Sequence, residues 1–465
     1  MTKKLKIVGA LFAIALAAAG ILVAVYFMNE ETEIKKDVQK WEITNYTYED
    51  VEAIYIKNTA GEQYTIGFSE DVPYIEGIGK DVPLQRLGML SIVDRILCGV
   101  SYSEPIPVEK SRLEEYGLAD PQAIFTIALT DGTMTNLRLG NQTVKKNGYY
   151  IWLENTSTAY IVENIYQTIA QYDAYDYIDP VLVQIPQEQA FTISRLSLSD
   201  WSVGETVTVA LKKEGDGEEA SVYSYMVTYP EVYDASDDKL RGYIFDYLVD
   251  LRAEDIYSLD VSDENLEKLG LLKPRYTLEI EDALAGTIEL DFSCLGDGTV
   301  LALIEERPVI YQMAGGDVPF LEMTLDQFVS PFITLQPITE IEGFSVFDGE
   351  KTYDFVIHPD TEGTDLQVTY GEKTVDTDSF RKLYSRAATI YVSGMAEPPE
   401  EKDTALRLIY HRIDDQECVV EFLQLDGRYC YALLNGEGRF SVELSDIEYF
   451  LDGLAQCVQG ETLSD

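Results

Sequence analysis

Two histidines, five cysteines and 82 acidic side chains are the reactive stock of this 465-residue chain. His358 and His411 are too few and too far apart to suggest an imidazole-based metal site or a nucleophile–base pair. His358-Pro-Asp360 copies a tripeptide of co-chaperone J-domains, where it joins two helices; here it follows the alternating run Tyr353–Ile357, so it reads as a turn. Cys98, Cys294, Cys418, Cys430 and Cys457 form no C-x-x-C pair. Most lie in apolar runs, where a free thiol behaves as a small hydrophobe. Cys418 and Cys430 could face each other across a hairpin and form one disulfide.

Paired carboxylates, the raw material of glycoside hydrolysis, occur at Asp237-Asp238, Asp376-x-Asp378 and Asp414-Asp415. Hydrolysis needs two carboxyls about 5–9.5 Å apart in a cleft. The spacing here fits simpler roles: Asp237-Asp238 caps the helix that starts near Leu240, and Asp414-Asp415 marks a hairpin tip. The acidic loop Glu214–Glu219 fits no EF-hand. Gly77-Ile-Gly79 lacks the third glycine and the strand-to-helix setting of a phosphate loop. No G-x-S-x-G elbow, P-loop or H-E-x-x-H is present. Tyrosines cluster at Tyr149, Tyr150, Tyr172, Tyr175, Tyr177, Tyr223, Tyr225, Tyr229 and Tyr233, a pattern suited to half-buried strands or to a glycan groove. The chain is therefore read as non-enzymatic, with no catalytic residue, cofactor or metal ligand assigned.

The elements that would position any site are set by a repeat. Leu113-Glu-Glu-Tyr-Gly-Leu-Ala-Asp-Pro121 recurs as Leu266-Glu-Lys-Leu-Gly-Leu-Leu-Lys-Pro274, identical at five of nine positions. Leu113, Gly117, Leu118 and Pro121, with Leu266, Gly270, Leu271 and Pro274, form the structural motif. The glycines stand where a helix ends in a left-handed residue, and the prolines push the chain into extended geometry. Around each copy lie an opening hairpin, an amphipathic helix and a meander. Leu87, Leu90, Val93 and Leu97 are expected on one helical face, as are Ile244, Tyr247, Leu248 and Leu251 in the helix from Leu240. A third unit keeps the order but has Ala396-Glu-Pro-Pro-Glu in place of the motif. The expected fold is α+β: an N-terminal transmembrane helix, then three repeated units of antiparallel β-meanders with amphipathic helices. The boundaries are 1–28 for a cytoplasmic stub and anchor, 29–45 for a tether, and 46–185, 186–336 and 337–460 for the units.

The anchor is expected from Ile7–Met28, 22 residues without a charge, preceded by Lys3, Lys4 and Lys6. At 1.5 Å per residue this run spans about 33 Å of helix, enough for a hydrocarbon core of about 30 Å. The lysines would keep the amino terminus cytoplasmic and place the bulk outside the cell membrane as a single-pass protein. Cleavage as a signal peptide at Ala17-Ala18-Ala19-Gly20 is the alternative. A net charge of −47 opposes binding to nucleic acid.

The order of hairpin, helix and Leu-Glu-x-x-Gly-Leu-x-x-Pro, followed by Leu137-Arg-Leu-Gly140, Gly148-Tyr-Tyr150 and Tyr160-Ile-Val162, resembles the bacterial domain of unknown function 4340. The resemblance spans roughly residues 50–335. It implies a membrane-tethered extracytoplasmic protein, associated with ABC-type transporter components of the gliding-motility auxiliary kind, and it brings no catalytic residue. The expected function is a scaffold binding envelope or transporter proteins. A wall-polymer or glycan-binding module and a carboxylate-based hydrolase are the alternatives.

Overall fold

The computed structural model describes residues 39–70, 72–185, 192–212, 223–358, 366–400 and 403–463. They form five antiparallel sheets, three large and two of two strands. The first large sheet runs, edge to edge, Val72–Ile75, Gln63–Ser69, Val51–Lys57, Ala123–Leu129, Met134–Gln142, Tyr149–Leu153, Thr158–Val162 and Ile106–Pro107. The second runs Tyr233–Asp234, Tyr225–Tyr229, Glu205–Leu211, Ile193–Asp200, Tyr276–Asp282, Gly286–Cys294, Thr299–Ile304, Ile310–Ala314 and Asp255–Ser258. The third repeats that order from Lys373–Val375 through Gln367–Tyr370, Thr352–His358, Ile341–Phe347, Thr404–Arg412, Glu417–Gln424, Tyr429–Leu434 and Glu437–Glu443 to Val392–Met395. In each sheet the opening strands pair with the first strand of a later four-strand meander.

A shared irregularity marks the junction of the two halves. The register shifts between Val51 and Ala53, between Ile193 and Arg195, and between Ile341 and Gly343, each against the first meander strand. A bulge of this kind twists the strand and turns an extra side chain inward. Ala53 and Ile54 are accordingly both buried, although they are neighbours.

The α+β expectation is corrected: sheet dominates the described residues and helix is the minority. Some segments expected to be helical shorten or change type. The first motif copy carries a 3-10 turn, Lys110–Tyr116, and Leu325–Phe328 is a single short helical turn. The helix near Leu240 is α only over Asp237–Leu240 and Asp246–Leu248, with a π segment at Arg241–Phe245, and Leu251 already belongs to a strand. The transmembrane helix expected over Ile7–Met28 falls outside the described residues. Among the described residues no helix is long and apolar enough to cross a membrane.

Two compact units divide the chain, one ending at Asp179 and one beginning at Pro180. In the first, helix Arg86–Leu97 buries Met89, Ile92, Val93 and Ile96 against the sheet. This face is shifted from the expected stripe, because Leu87 is 85% exposed. In the second, the third sheet is covered by helices Thr377–Ala388 and Leu444–Gln459. Phe344 lies there among the rings of Phe355, Phe380, Tyr384 and Tyr410, at centroid distances of 5.0–6.5 Å. Each fully buried ring of this kind contributes roughly 1.5–3 kcal/mol of transfer free energy.

Candidate ligand cleft

The motif residues prove to be corner pieces. Gly117 has φ +68° and Gly270 φ +73°. Around Gly117 the backbone N–H of Leu118 donates to Leu113 O at 2.9 Å and that of Gly117 to Glu114 O at 3.1 Å. Leu271 and Gly270 make the same pair of bonds to Leu266 and Glu267 at 2.8 and 3.2 Å. Both are Schellman closures, in which a left-handed residue lets two carbonyls be satisfied. Leu113 and Leu118 close a small core with Trp152 and Ala159; Leu266 and Leu271 do so with Leu301 and Ile310. Pro121 and Pro274 are half-buried just before Ala123–Leu129 and Tyr276–Asp282. The two copies lead into strands of different sheets, and each shapes its own corner.

The remaining candidates are also dispersed. Asp237 accepts from the backbone N–H groups of Ser224 and Tyr225 at 2.7 and 3.2 Å, while the cap itself is Ser236. Asp376 caps helix Thr377–Ala388 through Ser379 N at 2.9 Å, and this bond holds its carboxyl below the usual range. Asp414 pairs with Arg412 at 3.2 Å at a hairpin tip. Cys418 and Cys430 are free rather than bridged: Gln424 is the residue opposite Cys430, and Cys418 lies opposite Tyr410. Burial pushes the Cys430 and Cys457 thiols up to about 11. Of the clustered tyrosines, Tyr177 and Tyr225 are buried, and Tyr177 OH lies 3.0 Å from Tyr64 OH. Glu214–Glu219, Pro359 and Asp360 fall outside the described residues.

One polar constellation was invisible in sequence. Ser345, Asp354, His411 and Glu417 meet across four neighbouring strands of the third sheet. Ser345 Oγ lies 3.0 Å from His411 Nε2, and His411 Nδ1 lies 3.0 Å from Glu417 Oε1. The spacing imitates a nucleophile, base and orienting acid. Yet the serine donates its single proton to Asp354 Oδ1 at 2.6 Å, so it faces the imidazole as an acceptor. A general base requires the opposite direction. This arrangement ties strands together.

A concave feature lies within the second compact unit, where the edge hairpin of the second sheet meets the meander end of the third. It is a cleft of about 380 Å³, within the size range of ligand sites. Met226, Val232 and Tyr233 come from the hairpin, Val329, Ser330, Phe332, Ile333 and Thr334 from the connection, and Val392, Leu434 and Phe440 from the third sheet. The rings of Tyr233 and Phe440 meet edge to face at 4.9 Å, and Phe332 meets Tyr391 at 5.3 Å. Arg439 Nε bonds Glu231 Oε1 at 2.6 Å beside the cleft, and Tyr233 OH also donates to Glu231. Gly438 is needed at this end because a Cβ there would come 2.1 Å from Ala432 O.

Most polar groups lining the cleft are engaged with protein, Glu437 at its margin excepted. Lys212 pairs with Asp234. Ser330 Oγ donates to Tyr223 OH at 3.0 Å and accepts from Phe332 N at 3.0 Å. Burial raises the Tyr233 and Tyr223 hydroxyls above their usual range. What is left facing the space is chiefly apolar, so the cleft suits binding through packing rather than bond-making. Among the described residues no group of three His, Cys, Asp or Glu side chains is placed to hold a metal. No signal in the sequence pointed here, because the lining segments are separated by up to about two hundred residues and none carries a motif.

Three antiparallel sheets of closely similar strand order, with a chiefly apolar cleft and structural corners, define a mostly β protein. Residues 94–257 match the family model described as "Domain of unknown function (DUF4340)". The match takes in the meander of the first sheet and the opening hairpins of the second. Comparison with curated proteins and with solved structures gives no match.

Proposed function

We propose that this protein is a non-enzymatic, extracytoplasmic binding scaffold whose partners are proteins of an envelope or ABC-type transport complex. The observation that carries the reading is the cleft, whose Lys212, Asp234 and Ser330 are bonded within the protein and whose open walls are chiefly apolar. Such a surface holds a partner without transforming it. Repeated sheets support the same reading, since repetition multiplies surface more than it deepens one pocket. The uncharged run Ile7–Met28, preceded by lysines, supports attachment to the membrane with the bulk outside.

Location and partnership are tested separately. Cys98 and Cys294 are exposed thiols, so a membrane-impermeant maleimide should label them in intact cells. Labelling only after lysis contradicts an extracytoplasmic position. Affinity capture from detergent-solubilised membranes should recover transport or envelope proteins in stoichiometric amounts, and recovery of none contradicts the scaffold reading.

A further inference from the structure

The cleft also carries information on what enters it. Its walls offer Met226, Val329, Phe332, Val392, Leu434 and Phe440, a lining that takes bulky apolar side chains. Lys212 is neutralised by Asp234, and Arg439 is held by Glu231. Glu437, exposed at the margin, makes no ion pair among the described residues. The charge left at the mouth is therefore negative, on a chain whose net charge is −47. An acidic ligand would be repelled by both, whereas a cation beside an apolar anchor would meet a free carboxylate and the faces of aromatic rings.

Resting on the binding reading above, we infer that the cleft accepts a segment of a partner protein that presents a bulky apolar side chain beside a lysine or arginine. The apolar anchor fills the space between the second and third sheets, and the basic residue pairs with Glu437. The anchor supplies most of the affinity, as buried central residues do in interfaces. The charge pair sets the preference for basic over acidic sequence.

The test uses the purified full chain and two fluorescent hexapeptides with one Phe-Leu core, flanked in one by lysines and in the other by glutamates. Fluorescence anisotropy should show the lysine peptide binding at least about ten-fold more tightly, with the difference shrinking as salt rises. Val392→Trp, which fills the cleft, should weaken the lysine peptide by about ten-fold or more. Glu437→Lys, an exposed change that leaves the fold alone, should weaken it by about three- to five-fold and narrow the gap between the peptides. Equal binding of both peptides, or binding indifferent to both substitutions, overturns the inference. If the lysine peptide fails to bind while membrane capture still recovers a partner, the inference falls and the scaffold reading stands. Loss of both overturns both.

Discussion

Replacing Gly117 by alanine isolates what the repeated corner contributes, because the chain supplies its own controls. Gly117, Gly270 and Gly460 all end helical turns with the same pair of backbone bonds, at φ +68°, +73° and +79°. An L-residue in this left-handed region costs roughly 1–2 kcal/mol. That is the whole expected cost at Gly460, where an added Cβ meets nothing within 4 Å. At Gly270 the Cβ would sit 2.9 Å from Ser293 Oγ, whose hydroxyl donates to Leu269 O at 2.6 Å. At Gly117 it would sit 2.5 Å from Asn141 Cγ, so the Asn141 side chain must move. Crowding of this kind adds about 1–3 kcal/mol. Gly117→Ala is thus expected to cost about 2–5 kcal/mol, Gly270→Ala somewhat less, and Gly460→Ala about 1 kcal/mol. Asparagine tolerates left-handed geometry, so Gly460→Asn should be nearly neutral and Gly117→Asn as damaging as alanine. Urea unfolding followed by circular dichroism, with proteolysis to show which compact unit opens, measures the series. Equal losses at the three positions, or the greatest loss at Gly460, would refute the argument from close approach.

Other consequences are open to measurement. Burial raises the Asp291 and Glu289 carboxyls, and Glu289 is raised further by Asp291, Glu305 and Glu279. A raised folded-state value means a contribution present at low pH and lost as pH rises through the ordinary carboxylate range and above; Asp291→Asn should therefore raise the melting temperature at pH 7 and flatten its dependence on pH in that window. Arg412 is 7% exposed and bonds Gln336 Oε1 at 3.1 Å, Asp414 at 3.2 Å and Glu340 at 3.4 Å, so Arg412→Ala should cost about 2–4 kcal/mol in urea unfolding. Phe344→Ala removes the ring shared by four aromatic neighbours of the third sheet and should cost about 3–5 kcal/mol by the same assay.

Legibility of the fold followed the range of the forces. The Gly-Leu corners and the hairpins were readable because left-handed glycines and alternating strands act over a few residues. Leu87 misled because the stripe through Leu90 and Val93 also admits the neighbouring face through Met89 and Ile92, and only sheet packing chooses between them. The interrupted helix at Arg241–Phe245 was hidden because its apolar spacing survives a π turn while its hydrogen bonds do not. Apolar patterning also overstated helix, since short turns such as Leu325–Phe328 carry the same signature as the start of a longer one. The cleft and the Ser345–His411–Glu417 chain depend on strand register across segments far apart in sequence, which no local pattern encodes.

The account stands on the cleft being a place where another protein is held. A photo-crosslinking amino acid installed at Leu434, inside the cleft, should yield in living cells a discrete adduct with an envelope or transport protein. The same residue at Val144, 96% exposed in the first compact unit, should not yield that adduct. No adduct from Leu434, or the same products from both positions, would contradict the account.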